Sequence, residues 1–286
     1  MGKSRTICLM VFLVLFSGCA TAGRDPYNRA VEQYSKGRIS ESVDGYTQAM
    51  RLNPSDPRPK FNLAVIYQDQ GRLDEAEKLY KAILEQHPGY AAAWANLASI
   101  QEKRGQTVEA EQSYRRAVDA EPDNSWTAAQ FGYFLLRAER RDEAVLMFVE
   151  SAKRNPRCAN AWYGLGLIAE EKGDTSSALK GFDKTAIYNP SDVQAYLRAA
   201  DIYIARGDRK SAVELLQKAV GAAPSRGDLH LLMGRLLREE GMYKEAEKAL
   251  ELAGKTGAPA FECDSELSIV YGKLSEQAAA KAGTHD

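Results

Sequence analysis

One interval of 34 residues recurs along most of this 286-residue chain and constrains its fold more than any other feature. Prolines mark the interval at Pro54, Pro88, Pro122, Pro156, Pro190 and Pro224. Glycines keep the same interval at Gly37, Gly71, Gly105, Gly173, Gly207 and Gly241, and Glu139 fills the one slot without glycine. Self-similarity with a period of roughly 20–50 residues indicates an array of small units rather than a domain count set by length.

Three further series share this interval and indicate what each unit contains. Small residues recur at Ala30, Ala64, Ala98, Gly132, Gly166, Ala200 and Gly234. A second small series runs Ser42, Ala76, Ala110, Ala144, Ala178, Ala212 and Ala246. Large residues follow that second series by four, at Tyr46, Tyr80, Tyr114, Phe148, Phe182, Leu216 and Leu250. The pattern predicts two closely packed helices per unit, with a large side chain filling the space beside the small ones.

The glycine and proline series predict where these helices end and begin. Glycine after the first helix supplies the left-handed conformation that L-residues avoid. Proline is expected to start the next helix, where its missing N–H costs no intrahelical hydrogen bond.

In period and residue types the chain resembles the tetratricopeptide repeat. One unit carries the pattern as Trp94, Leu97, Ala98, Gly105, Ala110, Tyr114, Ala117 and Pro122. The resemblance covers about 27–258 and implies an all-α fold: an α-solenoid of about seven helix-turn-helix repeats plus a C-terminal capping helix. The predicted repeats span 27–54, 57–88, 91–122, 125–156, 159–190, 193–224 and 227–258. Pro26 and Arg29 depart from the usual Trp and Leu, so we expect a short first helix.

After the last repeat the proline arrives one residue late, at Pro259. The segment 259–286 is predicted to form a capping helix and tail, with a helix over 262–280. A helix with a polar outer side is what a solenoid needs to cover its final repeat.

The first residues resemble a bacterial lipoprotein signal. Lys3 and Arg5 precede an apolar run over 7–16, too short to span a bilayer, and then Ser17-Gly18-Cys19. The resemblance implies a signal peptide over 1–18, lipidation of Cys19 and a membrane tether over 19–26, although Phe16 stands where the family favours Leu. The alternative is an ordinary secretory signal cut after Ala20 or Ala22, which leaves a soluble secreted protein.

The resemblance to a lipoprotein signal also implies where in the cell the repeats lie. Acyl chains on Cys19 would bind the membrane, and a tether of a few residues would keep the repeats near its surface. We therefore expect a lipid-anchored protein of the bacterial cell envelope. The residue after Cys19 is Ala20 rather than Asp, which resembles the signal that sorts lipoproteins to the outer membrane. In a cell with two membranes, the resemblance implies that the protein lies on the periplasmic face of the outer membrane.

The charge composition argues against a nucleic-acid partner, and the cysteine positions argue against a disulfide. Lys and Arg number 38 and Asp and Glu 39, so no broad basic field for nucleic acid is expected. Cys158 and Cys263 lie three repeats apart, too far for the ~7 Å that a disulfide allows between Cα atoms. We predict two unpaired thiols.

No catalytic, metal-binding or cofactor-binding motif stands out. His230 takes the slot of Trp94 and Trp162, which favours a packing role, whereas His87 falls in a turn and His285 in the tail. No two histidines or cysteines have metal-ligand spacing. We therefore predict that the protein is not an enzyme and uses neither metal nor cofactor.

By resemblance, the first helices of the repeats line a concave groove at their second, fifth, ninth and twelfth positions. The candidate partner-binding residues on these helices are Phe61, Val65, Asn96, Trp126, Tyr133, Leu136, Tyr163, Leu167, Leu197 and Ile204. The cations that some family members use to clamp a C-terminal carboxylate are missing, which favours an extended or helical apolar segment of another protein. The alternative is that several of these side chains only pack against the next repeat.

These features favour a protein–protein interaction scaffold or assembly factor at the cell envelope, for example in pilus secretin biogenesis or cell-wall machinery. The alternatives are an enzyme or small-molecule binder with an unrecognised site, a soluble secreted adaptor, and an array that only provides spacing within a larger machine.

Overall fold

The computed structural model describes residues 25–282, where all regular secondary structure is helical. The chain divides into two compact units, residues 1–88 and 89–286. Unit 1 contains α1 (Pro26–Ser35), α2 (Ile39–Leu52), α3 (Pro57–Asp69) and α4 (Leu73–Gln86). Unit 2 contains α5 (Ala91–Lys103), α6 (Thr107–Ala120), α7 (Ser125–Arg137), α8 (Arg141–Arg154), α9 (Ala159–Glu171), α10 (Thr175–Tyr188), α11 (Val193–Ala205), α12 (Arg209–Ala222), α13 (Gly227–Glu239), α14 (Tyr243–Lys255) and α15 (Ala260–Ala282).

Consecutive helices pack as pairs, from α1 with α2 to α13 with α14, and α15 packs on the last pair. The predicted all-α repeat of seven helix pairs with a final helix is therefore confirmed. The expected shortness of the first helix is also confirmed, since α1 has 10 residues and α3 has 13. The predicted signal peptide and Cys19 lie outside the described residues.

The turn inside each pair uses the left-handed conformation that the glycine series predicts. Those six glycines have φ between 73° and 77°. At Gly173, the N–H donates to Glu170 O (3.0 Å) and the following Asp174 N–H donates to Ala169 O (2.9 Å), which satisfies carbonyls at the end of α9. Glu139 adopts the same conformation, with φ of 60°.

The recurring prolines lie elsewhere than we expected. They stand in the turns between pairs, where Pro88 precedes α5 by three residues, and not at the first helical position. That position is taken by Pro26 and Pro57, each directly after an aspartate that caps the helix. Asp56 Oδ1 accepts a hydrogen bond from Arg58 N–H at 3.0 Å, so the cap and the N-terminal proline act together.

The small and large series meet inside each pair, as predicted. A Cβ added at Gly132 would lie 2.8 Å from Phe148 Cε1, and one at Gly166 would lie 2.8 Å from Phe182 Cε1. Ala98 and Tyr114 occupy the same two slots in the preceding pair, and both are buried. The large side chain thus packs directly against the backbone of the first helix, which leaves room for a small residue only, and at Gly132 and Gly166 the ring lies so close that glycine fits best.

Candidate functional site

The first helices of the repeats in unit 2 also contact one another, α5 with α7 and α7 with α9. The predicted groove residues of unit 2 lie on one side of these helices. They are half-buried, neither enclosed in the core nor fully exposed: Asn96, Trp126, Tyr133, Leu136, Tyr163, Leu167, Leu197 and Ile204. In unit 1, Phe61 and Val65 on α3 are half-buried in the same way.

Tyr133 joins two neighbouring repeats. Its hydroxyl donates to Asn160 O of α9 at 2.8 Å, and its ring meets Phe148 edge-on with centroids 4.9 Å apart. Burial raises the pKa of Tyr133 well above the ordinary value. For this residue the structure favours the packing role that we considered as the alternative, since its polar end is already used.

Tyr163 has a different environment. Its ring lies against Phe182 with centroids 5.6 Å apart, and Leu167 packs against the same cluster. Burial raises the pKa of Tyr163, while the neighbouring Arg198 acts in the opposite direction. Tyr163 and Leu167 therefore contribute to the core with one side and remain half-accessible with the other.

Trp126 stands in the first turn of α7. Its backbone N–H donates to Oδ1 of the cap residue Asn124 at 3.0 Å, so the cap fixes the start of the helix from which the indole extends. A half-buried tryptophan on the shared face of the first helices has the chemistry of an interface anchor.

The arginines of this face are paired with carboxylates of the same chain. Arg137 binds Glu102 through two nitrogens, at 2.5 and 2.7 Å. Arg198 lies 3.4 Å from Glu170 on the neighbouring first helix. These pairs were not predicted from the sequence, although the 35-residue and 28-residue separations fit neighbouring repeats.

At the last repeat, two arginines of α13 pair with carboxylates of the final helix. Arg235 lies 2.8 Å from Glu262 and 2.9 Å from Glu266, both on α15. Arg238 also pairs with Glu266, at 2.9 Å. Arg235 and Arg238 of the last repeat are therefore already paired with carboxylates of the final helix.

Unit 1 contains a polar group that sequence reasoning missed. Asn62 Nδ2 on α3 donates to the hydroxyls of Tyr27 (3.3 Å) and Tyr46 (3.2 Å). Asn96 occupies the equivalent place 34 residues later, and this repetition is a signal that could have identified the position.

The histidines and cysteines among the described residues pack within the repeats or contact neighbouring backbone. His230 is buried and its Nε2 lies 3.0 Å from Pro224 O, as Trp162 Nε1 lies 2.8 Å from Pro156 O, which confirms the packing role. His87 contacts Ser55 O at 2.9 Å. Cys158 and Cys263 are both free thiols.

Across residues 25–282, we find no group of side chains arranged to hold a metal ion. Within the same range, no helix combines the length and the apolar character needed to cross a bilayer.

Comparison with known families agrees with this architecture. The tetratricopeptide repeat profile matches residues 27–90, 61–125, 131–192 and 172–227, and a second profile of the same description matches 203–260. These matches cover most of the chain, and the protein belongs to the tetratricopeptide repeat family. Repeats of this family mediate protein–protein interactions, and the family is not defined by a reaction.

Individual relatives are distant. Superkiller protein 3 of Schizosaccharomyces pombe is 25% identical over 134 residues, which covers 44% of this chain and 10% of that protein. The chain thus spans about a tenth of the first curated relatives that it matches.

Two solved structures share the fold. The Pseudomonas aeruginosa pilF structure has a TM-score of 0.60 at 20% identity and covers 73% of this chain and 95% of that chain. The yeast Tom70 structure has a TM-score of 0.64 at 14% identity, with 88% and 54% covered.

Proposed function

We propose that this chain is a lipid-anchored scaffold or assembly factor of the bacterial cell envelope, which binds an apolar segment of a partner protein. The proposed binding surface is the central groove patch, which we define as Trp126, Leu136, Tyr163, Leu167, Leu197 and Ile204. The observation that carries the proposal is that these half-buried apolar side chains stand on the first helices of three consecutive repeats, α7, α9 and α11. An apolar patch that spans several repeats is typical of a partner site.

The charges around the patch favour an apolar partner segment over a free carboxylate. Arg137 and Arg198 are engaged by Glu102 and Glu170. A carboxylate from a partner would have to displace one of these pairs and leave a glutamate without its cation. Apolar side chains need only displace water from the patch.

The acidic side chains near the central groove patch favour a scaffold over an enzyme. Asp201, on α11, has its pKa raised by partial burial, and Arg198 beside it acts in the opposite direction. Asp192 at the start of α11 also has its pKa raised by burial, and its Oδ1 accepts hydrogen bonds from the backbone N–H groups of Gln194 and Ala195 as a helix cap. A capping carboxylate and a carboxylate beside an arginine have structural roles, which favours a scaffold over acid–base catalysis.

The proposed anchor is Cys19, and its support comes from the sequence. The basic residues, the apolar run over 7–16 and Ser17-Gly18-Cys19 fit a lipoprotein signal. More than one acyl chain on Cys19 would hold the protein stably at a membrane. In a cell with two membranes, the proposed location is the periplasmic face of the outer membrane.

The groove is tested by affinity purification from membranes with the wild-type chain and the double variant Trp126→Ala/Tyr163→Ala. Loss of a hot-spot aromatic costs about 2 kcal/mol or more, so recovery of the specific partner should fall at least ~10-fold. Leu146→Ala is the matched control, because Leu146 on α8 is 63% exposed and stands on a second helix. Equal recovery with all three chains would refute binding at this patch.

The anchor is tested separately by fractionation of cells that express Cys19→Ser. The variant should leave the membrane fraction, and globomycin should cause the wild-type precursor to accumulate. Unchanged fractionation under both conditions would refute the anchor and leave the groove proposal intact.

A further inference from the structure

A carboxylate stands between two apolar residues of the central groove patch. Asp201 on α11 comes four residues after Leu197 and three before Ile204, so the three side chains share one side of the helix. Leu197 and Ile204 are half-buried, whereas Asp201 is exposed to solvent. A partner segment that covers this end of the patch must therefore also cover the carboxylate.

Asp201 is the ninth residue of its first helix, and polar residues in the same slot of two other repeats are engaged by their own chain. Tyr133 donates from its hydroxyl to Asn160 O, in the first turn of the next first helix, at 2.8 Å. Arg235 binds Glu262, in the first turn of the final helix, at 2.8 Å. A polar side chain in this slot thus reaches the start of the helix that follows.

The start of the following helix offers Asp201 no cation. Its second residue is Asp228, at the place that Asn160 takes in α9. Asp228 is itself a carboxylate and pairs with Arg226. The contact that satisfies the slot in other repeats is therefore replaced here by a residue of like charge.

Arg198, three residues before Asp201 on the same helix, does not neutralise it. Arg198 pairs with Glu170 on α9, at 3.4 Å. Across residues 25–282, no lysine or arginine lies within ion-pair distance of Asp201, and burial raises its pKa although Arg198 acts in the opposite direction. The place beside Arg198 therefore leaves this carboxylate able to bind a cation from outside the chain.

A second carboxylate faces the groove at the start of α11. Asp192 acts to raise the pKa of both Tyr133 and Tyr163, so it lies within electrostatic reach of two groove tyrosines. The capping aspartates Asp174 and Asp208 have their pKa lowered by hydrogen bonds, whereas burial raises the pKa of Asp192 despite its two capping bonds. The groove side of α11 thus presents negative charge that the chain compensates only in part.

We propose that the partner segment carries a lysine or arginine among its apolar residues, and that Asp201 binds this cation. This inference rests on the proposed function, because it names the chemistry of the segment that covers the groove. Contact with the central groove patch supplies most of the affinity, and the carboxylate selects a basic segment over a neutral or acidic one. An acidic segment would bring like charges together beside apolar side chains.

The test is binding of the purified full chain, in mild detergent, to an array of synthetic apolar peptides. Each peptide is made with lysine, glutamine or glutamate at one central position. Among the peptides that bind, the wild type should favour the lysine form about 2–3-fold over the glutamine form and at least ~10-fold over the glutamate form. Asp201→Asn should reduce the preference for lysine over glutamate to less than ~3-fold, and Asp201→Lys should reverse it.

Two further variants control the measurement. Asp142→Asn is matched in chemistry, because Asp142 stands on the second helix α8 with its side chain 99% exposed, and it should keep the wild-type preference. Trp126→Ala should weaken binding of all three peptide forms alike, because it removes apolar contact and leaves Asp201 in place.

The outcomes separate this inference from the groove proposal. Binding that Trp126→Ala weakens, but that shows no preference for lysine or a preference that both Asp201 variants leave unchanged, would overturn the role of Asp201 and leave the groove proposal intact. Binding that Trp126→Ala leaves unchanged, or no binding of any peptide form, would refute the groove proposal and this inference with it.

Discussion

Single residues decide how well each repeat fits the shared pattern, and Glu139 is the clearest departure. It takes the left-handed conformation, with φ of 60°, in the slot where six other repeats place glycine. Its N–H donates to Leu136 O at 3.0 Å, as the glycines do to their own helices, so the turn is preserved at the cost of strain. The conformation costs an L-residue about 1–2 kcal/mol.

Glu139→Gly should therefore stabilise the protein by about 0.5–1 kcal/mol, after the greater freedom of glycine in the unfolded chain is subtracted. Urea denaturation followed by circular dichroism measures the change. Gly173→Glu is the reverse control and should destabilise by a similar amount. A loss of stability in Glu139→Gly would show that the glutamate side chain makes a contribution larger than the backbone strain.

The contact between Gly132 and Phe148 gives a second prediction at this scale. Alanine at 132 would place its Cβ 2.8 Å from the ring, so Gly132→Ala should destabilise by about 1–3 kcal/mol. Adding Phe148→Leu should recover at least ~1 kcal/mol of that loss, because Ala200 and Leu216 form such a pair elsewhere in the chain. Denaturation of the two single variants and the double variant completes the cycle. Strictly additive losses would contradict direct contact as the cause.

At the scale of helices, most of the fold could be predicted because each helix pair repeats the same packing problem. The 34-residue series places the left-handed turns and the pairing of small with large residues correctly. The position of the prolines was not predictable in the same way. Aspartate caps and N-terminal prolines begin α1 and α3 without any help from the recurring prolines, which instead shape the turns between pairs.

The sequence predicted that a final helix covers the last repeat, but not the register in which α15 packs, because the late Pro259 obscures it. Ion pairs between α13 and α15 depend on that register, and the structure shows that Glu266 reaches both Arg235 and Arg238. The Glu266 side chain is 14% exposed, so its pairs are less screened by solvent than those of most surface carboxylates.

Glu266→Gln should loosen α15 by about 1 kcal/mol. Hydrogen exchange of backbone amides is the measurement, with faster exchange expected in 260–274 and unchanged exchange in α5–α8. Glu276→Gln is the matched control, because Glu276 is 67% exposed and pairs with Lys273 in the same helix. Equal effects of the two variants, or none, would show that apolar contacts alone hold the helix.

At the scale of the whole molecule, the candidate site could be predicted only in part. Repeat positions identify which side chains stand on the first helices, but not which of them are already used. Tyr133 illustrates the limit, since its hydroxyl bonds to the next repeat. Trp126 and Tyr163 keep accessible surface, and the sequence does not distinguish these three aromatics.

The balance of charges at the groove leads to a prediction about partner binding. Arg137 and Arg198 beside the central groove patch are paired within the chain, and the patch itself is apolar, so the main contribution to partner binding should come from removal of apolar surface from water. Salt screens exposed charge pairs strongly but affects apolar contact little.

The dissociation constant of the partner recovered from membranes should therefore change less than about 3-fold between ~50 and ~500 mM salt. Titration of the immobilised full chain measures it, with Trp126→Ala as the variant that loses binding at both concentrations. A loss of about 30-fold or more at high salt would mean that the partner binds mainly through charges, displacing pairs such as Glu170 with Arg198.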